Sequence, residues 1–348
     1  QLDMGGRGWR VPVMVGAGVA AAGLALWSLN RIRQGRLPLK WEEVGTVEAL
    51  IMYPVKSGGG YTVPWGLVTS YGLEVDSVVD RSFVVMLMEA AKPTHVTNGM
   101  APMLCTIIPT VKNNVLTLTP LQGDPMHVDI KRPLKGEPAK FIVKGDPVSG
   151  WDMGDEVAQW LSELLYRDSE SKPKVRLMYV GSKPEELGRP AKKPAIFQFP
   201  QFKKDDSIIY HDAAAFLLTT TSSLDDLNGR LSSPVTMRQL RPNIVVKGRP
   251  AWEEDEWAYV RIGDAVQLRT LKPRDACIRV NVDPTSGKRQ PEVLDTLKKF
   301  RVLPMPEVLH KAWSQKPLFG LHMAMDVRGK ISVGDKVFAV RRKPDWLL

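Results

Sequence analysis

Cysteine is almost absent from this 348-residue chain, Cys105 and Cys277 being the only two. That excludes a disulfide-rich scaffold and any zinc site built from paired cysteines, and it suits a reducing compartment. No G-x-G-x-x-G follows a strand, so a dinucleotide fold has no support; no G-x-S-x-G elbow or H-E-x-x-H helix occurs either. His95, His127, His211, His310 and His322 show no pairwise metal spacing. Low-complexity segments and 20–50-residue periods are missing, which removes disordered, collagenous and solenoid readings. What is present is the composition of a folded protein, 43% hydrophobic and 25% charged, with 28 glycines and 27 prolines. The length fits about two domains.

The net charge of +10 points towards nucleic acid only until its distribution is read. Within residues 1–40, Arg7, Arg10, Arg31, Arg33, Arg36 and Lys40 face only Asp3, and this supplies half of the excess. The rest has no basic stripe with interleaved aromatics, so no nucleic-acid partner is expected. The basic residues flank an uncharged run from Val11 to Leu29, which as a helix would reach about 28 Å, enough for a bilayer core. A cleaved signal peptide usually has a shorter apolar core and a small-residue cleavage site, and Trp27 and Arg31 crowd that place. A membrane anchor over 1–40, with its helix at about 11–29, is therefore expected. The heavier basic flank after the run leaves the body in the cytosol.

Beyond Lys40 the chain reads as β-rich. "GTVEALIMYPV", "RSFVVMLME", "MLCTIIPTV" and the alternating "NVLTLTPL" predict strands. Val157, Trp160, Leu161 and Leu164 share one helix face, with Asp152 as the expected cap. Ser223 and Asp226 have capping-box spacing before Leu227 and Leu231. The Pro- and Lys-dense stretch from about Gly181 to Lys204 is the expected domain boundary. Ile262-Gly-Asp-Ala-Val and Val333-Gly-Asp-Lys-Val predict two hairpins. Many short strands with little βαβ alternation argue for a barrel.

Four features carry chemistry. "YPVKSGGGY" offers the Lys56 ammonium, the Ser57 hydroxyl and the backbone N–H groups of Gly58, Gly59 and Gly60, the parts a phosphate needs. Asp80-Arg81 opens a β-like run. Arg241 and Asn243 flank Pro242, and together a guanidinium and an amide can read a phosphate and a heteroaromatic ring. Cys277 lies near Arg274 and Arg279, where a thiol is acidified into the thiolate that binds soft metals. Alternation predicts a strand there, with Ile278, Val280 and Val282 on one side and Cys277, Arg279 and Asn281 on the other. Cys105, in an apolar run, reads as a core residue.

"YPVKS", "DRSFVV", "IIYHDAAAFLLT", "SSLDDLNGRL", "RPNIVV", "CIRVNVDPTSG", "LDTLKKFR", "KPLFG" and "ISVGDKV" occur in one order. From Val47 to about Val340 this order resembles the mitochondrial amidoxime reducing components, MOSC-family proteins of the molybdenum cofactor. The resemblance implies a mainly β fold with some α (α+β): a β-rich N-terminal MOSC domain over 41–185 and a MOSC-type β-barrel over 186–348. It implies that Cys277 is the catalytic protein ligand to molybdenum in a Mo-molybdopterin cofactor. Lys56, Ser57 and Arg81 would hold the pterin phosphate, and Arg241 with Asn243 the pterin. Ala213, Ala214, Asp275 and Ala276 would approach largely through backbone. The family usually has hydroxyl residues near Ala213-Ala214 and an arginine at Ala276. Where relatives read Thr-x-Arg-x-x-Pro, this chain reads Thr97-Asn98-Gly99-Met100-Ala101-Pro102. The implied activity is reduction of amidoximes, N-hydroxyguanidines and hydroxamic acids, with electrons from NADH through cytochrome b5 reductase and cytochrome b5. The implied location is the mitochondrial outer membrane, with the peroxisome as the other candidate. The rival reading is a non-redox cofactor carrier or sulfuration protein.

Overall fold

A computed structural model describes residues 40–88, 93–131, 136–191, 201–302 and 316–341. The anchor expected over 1–40 lies, but for Lys40, outside them; among the described residues no helix is long and apolar enough to cross a membrane. From Glu42 onward the chain forms one compact unit, mainly β with few helices.

An eight-stranded sheet runs in the order Ile244–Lys247, Phe216–Thr220, Leu318–Val327, Val266–Asp275, Trp257–Ile262, Lys336–Arg341, Glu42–Met52, Tyr61–Val63. Glu42–Met52 also pairs antiparallel with Ile244–Lys247, so the sheet closes into a barrel with Tyr61–Val63 outside the ring. Closure removes exposed strand edges. Gly45 and Gly248 permit it: at φ +147 and +150 their backbones approach so closely that a Cβ on Gly45 would lie 2.0 Å from the Lys247 carbonyl oxygen. Leu50, Phe216, Trp257, Leu268, Leu321 and Val337 fill the interior. Phe216–Thr220 and Ile244–Lys247 are parallel, which requires a crossover; helix Thr221–Asn228 and the helical turn Met237–Leu240 provide it.

A second closed barrel is built from Phe83–Leu87, Thr94–His95, Ala139–Val143, Asp146–Asp152 and Val175–Tyr179. Helix Asp155–Leu165 packs Val157 and Leu161 into its core, with Trp160 and Leu164 partly buried, on the face its periodicity predicts.

Several local expectations are corrected. The segment expected to open the N-terminal domain is shared: Glu42–Met52 belongs to the C-terminal barrel, and Trp65–Thr69, Gly72–Val75 and Val78–Val79 form a sheet with Gly329–Ser332. Val44, Val47, Leu50 and Met52 are buried in the larger barrel's core beside Ile244, Val260 and Val337, which draws this strand into that ring. Gly154, not Asp152, is the cap residue of Asp155–Leu165; Asp152 Oδ1 accepts from the Gly154 N–H. Thr220 caps Thr221–Asn228 by accepting from Ser223 N–H, so Ser223 lies inside the first turn. "MLCT" forms a 3-10 turn, Pro102–Thr106, before its strand, because Pro102 starts a turn and cannot donate to a ladder. Ile262 and Val266 do close a hairpin, whereas Val333-Gly334 joins two different sheets through bonds to Pro64 and Val47. After Cys277 the chain makes a 3-10 turn, Ile278–Asn281, instead of a strand. Gln239 donates to the Val280 carbonyl and Asn281 Oδ1 accepts from Leu294 N–H, so polar groups there find partners without a sheet.

Candidate functional site

Two segments far apart in sequence are stitched together first. Arg81 N–H donates to the Tyr53 carbonyl at 2.9 Å, Lys56 N–H to Phe83 at 2.7 Å, and Tyr53 N–H to Asp80 Oδ1 at 2.6 Å. Two of this loop's three glycines do not present the free donors expected of them. Gly58 N–H is bonded to Val55 and Gly59 N–H to Ile107, and a Cβ on Gly59 would stand 2.5 Å from the Ile107 oxygen. Their role is close packing, and the side chains of Lys56 and Ser57 are what reach the site. Ser57, Arg81 and Arg241 all adopt left-handed backbone, at φ 65°, 55° and 64°. Each such residue is strained, a cost of order 1–3 kcal/mol that surrounding structure must impose.

These residues meet at a cavity of about 760 Å³. Lys56, Ser57, Arg81, Ala213, Ala214, Arg241, Asn243, Asp275 and Cys277 all line it. Ala276 does not: it is fully buried beside Leu227, Val280 and Phe319, with its N–H on the Pro317 carbonyl. Its small side chain turns to the core because Cys277 and Asp275 on either side face the cavity.

Asp212 organises the centre. Its Oδ1 lies 2.5 Å from Lys56 Nζ and its Oδ2 2.5 Å from Arg279 Nη2, while Arg279 Nε donates to Cys277 Sγ at 3.2 Å. Burial would raise the Cys277 thiol, but the Arg279 and Arg274 guanidiniums outweigh it and hold the thiol below its ordinary range. Burial likewise would raise Asp212, yet Lys56 and Arg279 keep its carboxyl well below the usual carboxylate range. Burial pulls Lys56 down to about 8 despite Asp212. Asp275, flanked by Lys272 and Lys316, sits at about 2, against the upward push of its burial. His211 and His322 are pushed down to about 4 and about 3, chiefly by burial, so both are neutral near pH 7.

Arg81 and Arg241 stack over the Tyr53 ring, at 4.8 and 4.4 Å from its centroid. Arg81 also bonds Asp80, a fully buried carboxylate. Asn243 is more committed than expected: its Oδ1 accepts from Arg81 and Leu217, and its Nδ2 donates to Ile51. It braces Arg81 at the cavity wall. The reading of the sequence missed Asp212 and His211, although both lie inside "IIYHDAAAFLLT"; a lone acid ahead of three alanines was the available signal.

The wall is strongly basic, with Lys56, Arg81, Arg241, Arg274 and Arg279 against Asp212 and Asp275. Arg241 Nη2 is buried with no partner among the described residues. Such a wall suits an anionic ligand. Among the described residues no cluster of three His, Cys, Asp or Glu could hold a metal unaided. A metal at Cys277 would need further ligands from a bound group, as a dithiolene pterin supplies, so donor set and charge both fit the molybdenum cofactor.

The comparisons with known proteins agree with the architecture. The MOSC N-terminal beta barrel domain matches residues 44–168 and the MOSC domain residues 205–338. The chain is 33% identical over 332 residues to mitochondrial amidoxime-reducing component 1 of Homo sapiens, covering 95% of this chain and 93% of that protein. It is 32% identical over 334 residues to mitochondrial amidoxime reducing component 2 of Rattus norvegicus, covering 95% and 93%. With both barrels present in order and this likeness spanning nearly the whole length, the chain belongs to the amidoxime-reducing component family of MOSC-domain proteins.

Proposed function

We propose that the protein is a molybdenum-cofactor-dependent reductase of N-hydroxylated compounds: amidoximes, N-hydroxyguanidines and hydroxamic acids. The observation that carries this reading is Cys277, a cavity-lining thiol drawn towards thiolate by Arg279 and Arg274 in the same basic cavity as Lys56, Ser57 and Arg81. The Cys277 sulfur would be the protein's ligand to molybdenum, and Lys56, Ser57 and Arg81 would hold the phosphate. Arg241 would contribute its unpartnered Nη2 to the pterin. When bound, the cofactor supplies the two electrons that, with two protons, convert an N–OH group to N–H and water. The chain's own residues bind and orient: Asp212 fixes Lys56 relative to Arg279, and Arg279 fixes the sulfur. Ile278, largely exposed at the cavity, offers an apolar contact for the substrate's carbon body.

Electrons would arrive from NADH through cytochrome b5 reductase and cytochrome b5. The relatives' names suggest a mitochondrial protein, and the basic-flanked segment suggests a membrane anchor with the body in the cytosol; the family resemblance implies the outer membrane. Tethering would raise the effective concentration of membrane-bound partners. The test is NADH-dependent reduction of benzamidoxime by purified, molybdenum-assayed protein with both partners. Benzamidine formation in proportion to molybdenum content is expected. A fully loaded protein that binds cofactor yet forms no benzamidine with saturating donor is a carrier instead.

A further inference from the structure

Arg274 is the penultimate residue of the strand Val266–Asp275, is nine-tenths buried and lines the cavity three residues before Cys277. Its Nη1 has no hydrogen-bond partner among the described residues. A guanidinium taken out of water without a counter-charge is strongly disfavoured. The anionic groups around it are already engaged: Asp275 with Lys272, Asp212 with Lys56 and Arg279, and the Cys277 sulfur with Arg279 Nε. Cys277 and Asp275 lie near enough to act on the guanidinium by charge, but their hydrogen bonds go elsewhere, so Nη1 is left to take an oxyanion from what the cavity binds. A planar guanidinium selects a planar pair of oxygens.

We propose that Arg274 forms an oxyanion subsite beside Cys277, taking the carboxylate of an aromatic N-hydroxylated substrate whose ring lies on Ile278. This deepens the reductase reading and rests on it. The same chemistry has a second source, an anionic oxygen of the cofactor itself, and the test separates the two. Molybdenum-loaded wild type, Arg274→Gln and Arg274→Lys are compared in three measurements. These are molybdenum and pterin content after gel filtration, benzoate binding by titration calorimetry, and kcat/KM for 4-carboxybenzamidoxime relative to benzamidoxime.

With a substrate carboxylate as the source, Arg274→Gln keeps its cofactor. Its carboxylate-to-neutral ratio then falls roughly ten- to hundredfold, the factor expected of one charge-assisted bond. Benzoate weakens by a similar factor, and Arg274→Lys recovers part of both. Cofactor loss in Arg274→Gln, with benzoate affinity unchanged in the molecules still loaded, assigns the oxyanion to the cofactor and overturns the substrate carboxylate. Unchanged cofactor content, ratio and benzoate affinity overturn the subsite altogether. Should Arg274→Gln unfold, Arg274→Lys decides alone: its single ammonium replaces a fork, so an unchanged ratio and benzoate affinity count against the subsite. Benzoate bound through Arg274 by a wild type that reduces no amidoxime would sink the reductase reading and leave the subsite standing.

Discussion

At the scale of single residues, the two cysteines make opposite predictions. Cys105 is buried and its thiol is pushed up to about 11, chiefly by that burial, while Cys277 is held low beside Arg279. In cofactor-free protein, iodoacetamide should label Cys277 and leave Cys105 intact until the chain unfolds; the peptide masses report which reacted. Cys277→Ser should abolish N-reduction in a folded protein, since a hydroxyl does not replace a thiolate on a soft metal. Cys105→Ser should be nearly silent in turnover. Arg81→Ala should weaken cofactor retention roughly ten- to hundredfold, read as molybdenum per protein after gel filtration. Lys56→Ala should do the same, and the pair less than additively if they share one phosphate. Full retention by Arg81→Ala would make Arg81 a brace for Tyr53 and Asp80 only. Cys277 and its arginines were legible from charge next to a thiol. That nine of the singled-out residues line one cavity came from the order of family motifs. Asp212 escaped notice because its importance lies in two partners, Lys56 and Arg279, that no local pattern connects to it.

At the scale of elements, Glu254 decides how firmly helix Thr221–Asn228 is held. It is fully buried, and it accepts from Ser223 Oγ at 2.7 Å and from the capping Thr220 hydroxyl at 3.2 Å. Burial pushes its carboxyl from 4.5 up to about 7. The folded state therefore keeps a proton that the unfolded chain releases. The stability this confers is complete below about 4.5 and is lost as pH rises to about 7. Glu254→Gln should melt above wild type at pH 8, by the equivalent of about 1–3 kcal/mol, with the gap closing towards pH 5. Thermal unfolding at the two pH values checks it, and a gap independent of pH would mean that Glu254 stays ionised in the fold. The helix itself was visible in the sequence, but its first residue was not. Thr220, Ser222 and Ser223 can all cap, and the choice among them is made by Glu254, which lies 31 positions beyond Ser223. The turn after Cys277 was misread for a similar reason: its alternation mimics a strand, while Gln239 and Leu294 supply bonds that only the tertiary fold brings near.

At the scale of the whole molecule, a chain beginning at residue 40 should fold and keep its cofactor, because Glu42 onward is one compact unit. Equal molybdenum content in the full and shortened proteins is the expected result. Residues 201–348 alone should fail to fold, since Glu42–Met52 sits between Ile244–Lys247 and Lys336–Arg341 in the ring. Circular dichroism and proteolysis of that fragment, with and without a separately expressed 40–191, test this; a fragment that folds alone would show the ring can close without its first strand. Barrel architecture was legible from many short strands, but the insertion of the first strand was not. Ile51 and Asn243, bonded across 192 positions, share no pattern that a window along the chain could detect. The same insertion orders events in time. At about 5–20 residues per second, roughly fifteen seconds to a minute pass between synthesis of Glu42–Met52 and that of its last neighbour, Lys336–Arg341. Over that interval Val44, Val47, Leu50 and Met52 have no completed interior to enter and stay exposed to chaperones or to aggregation. The cavity draws on residues from Lys56 to His322, so the cofactor proposed for it would meet its full set of partners only once His322 has been made and folded into place.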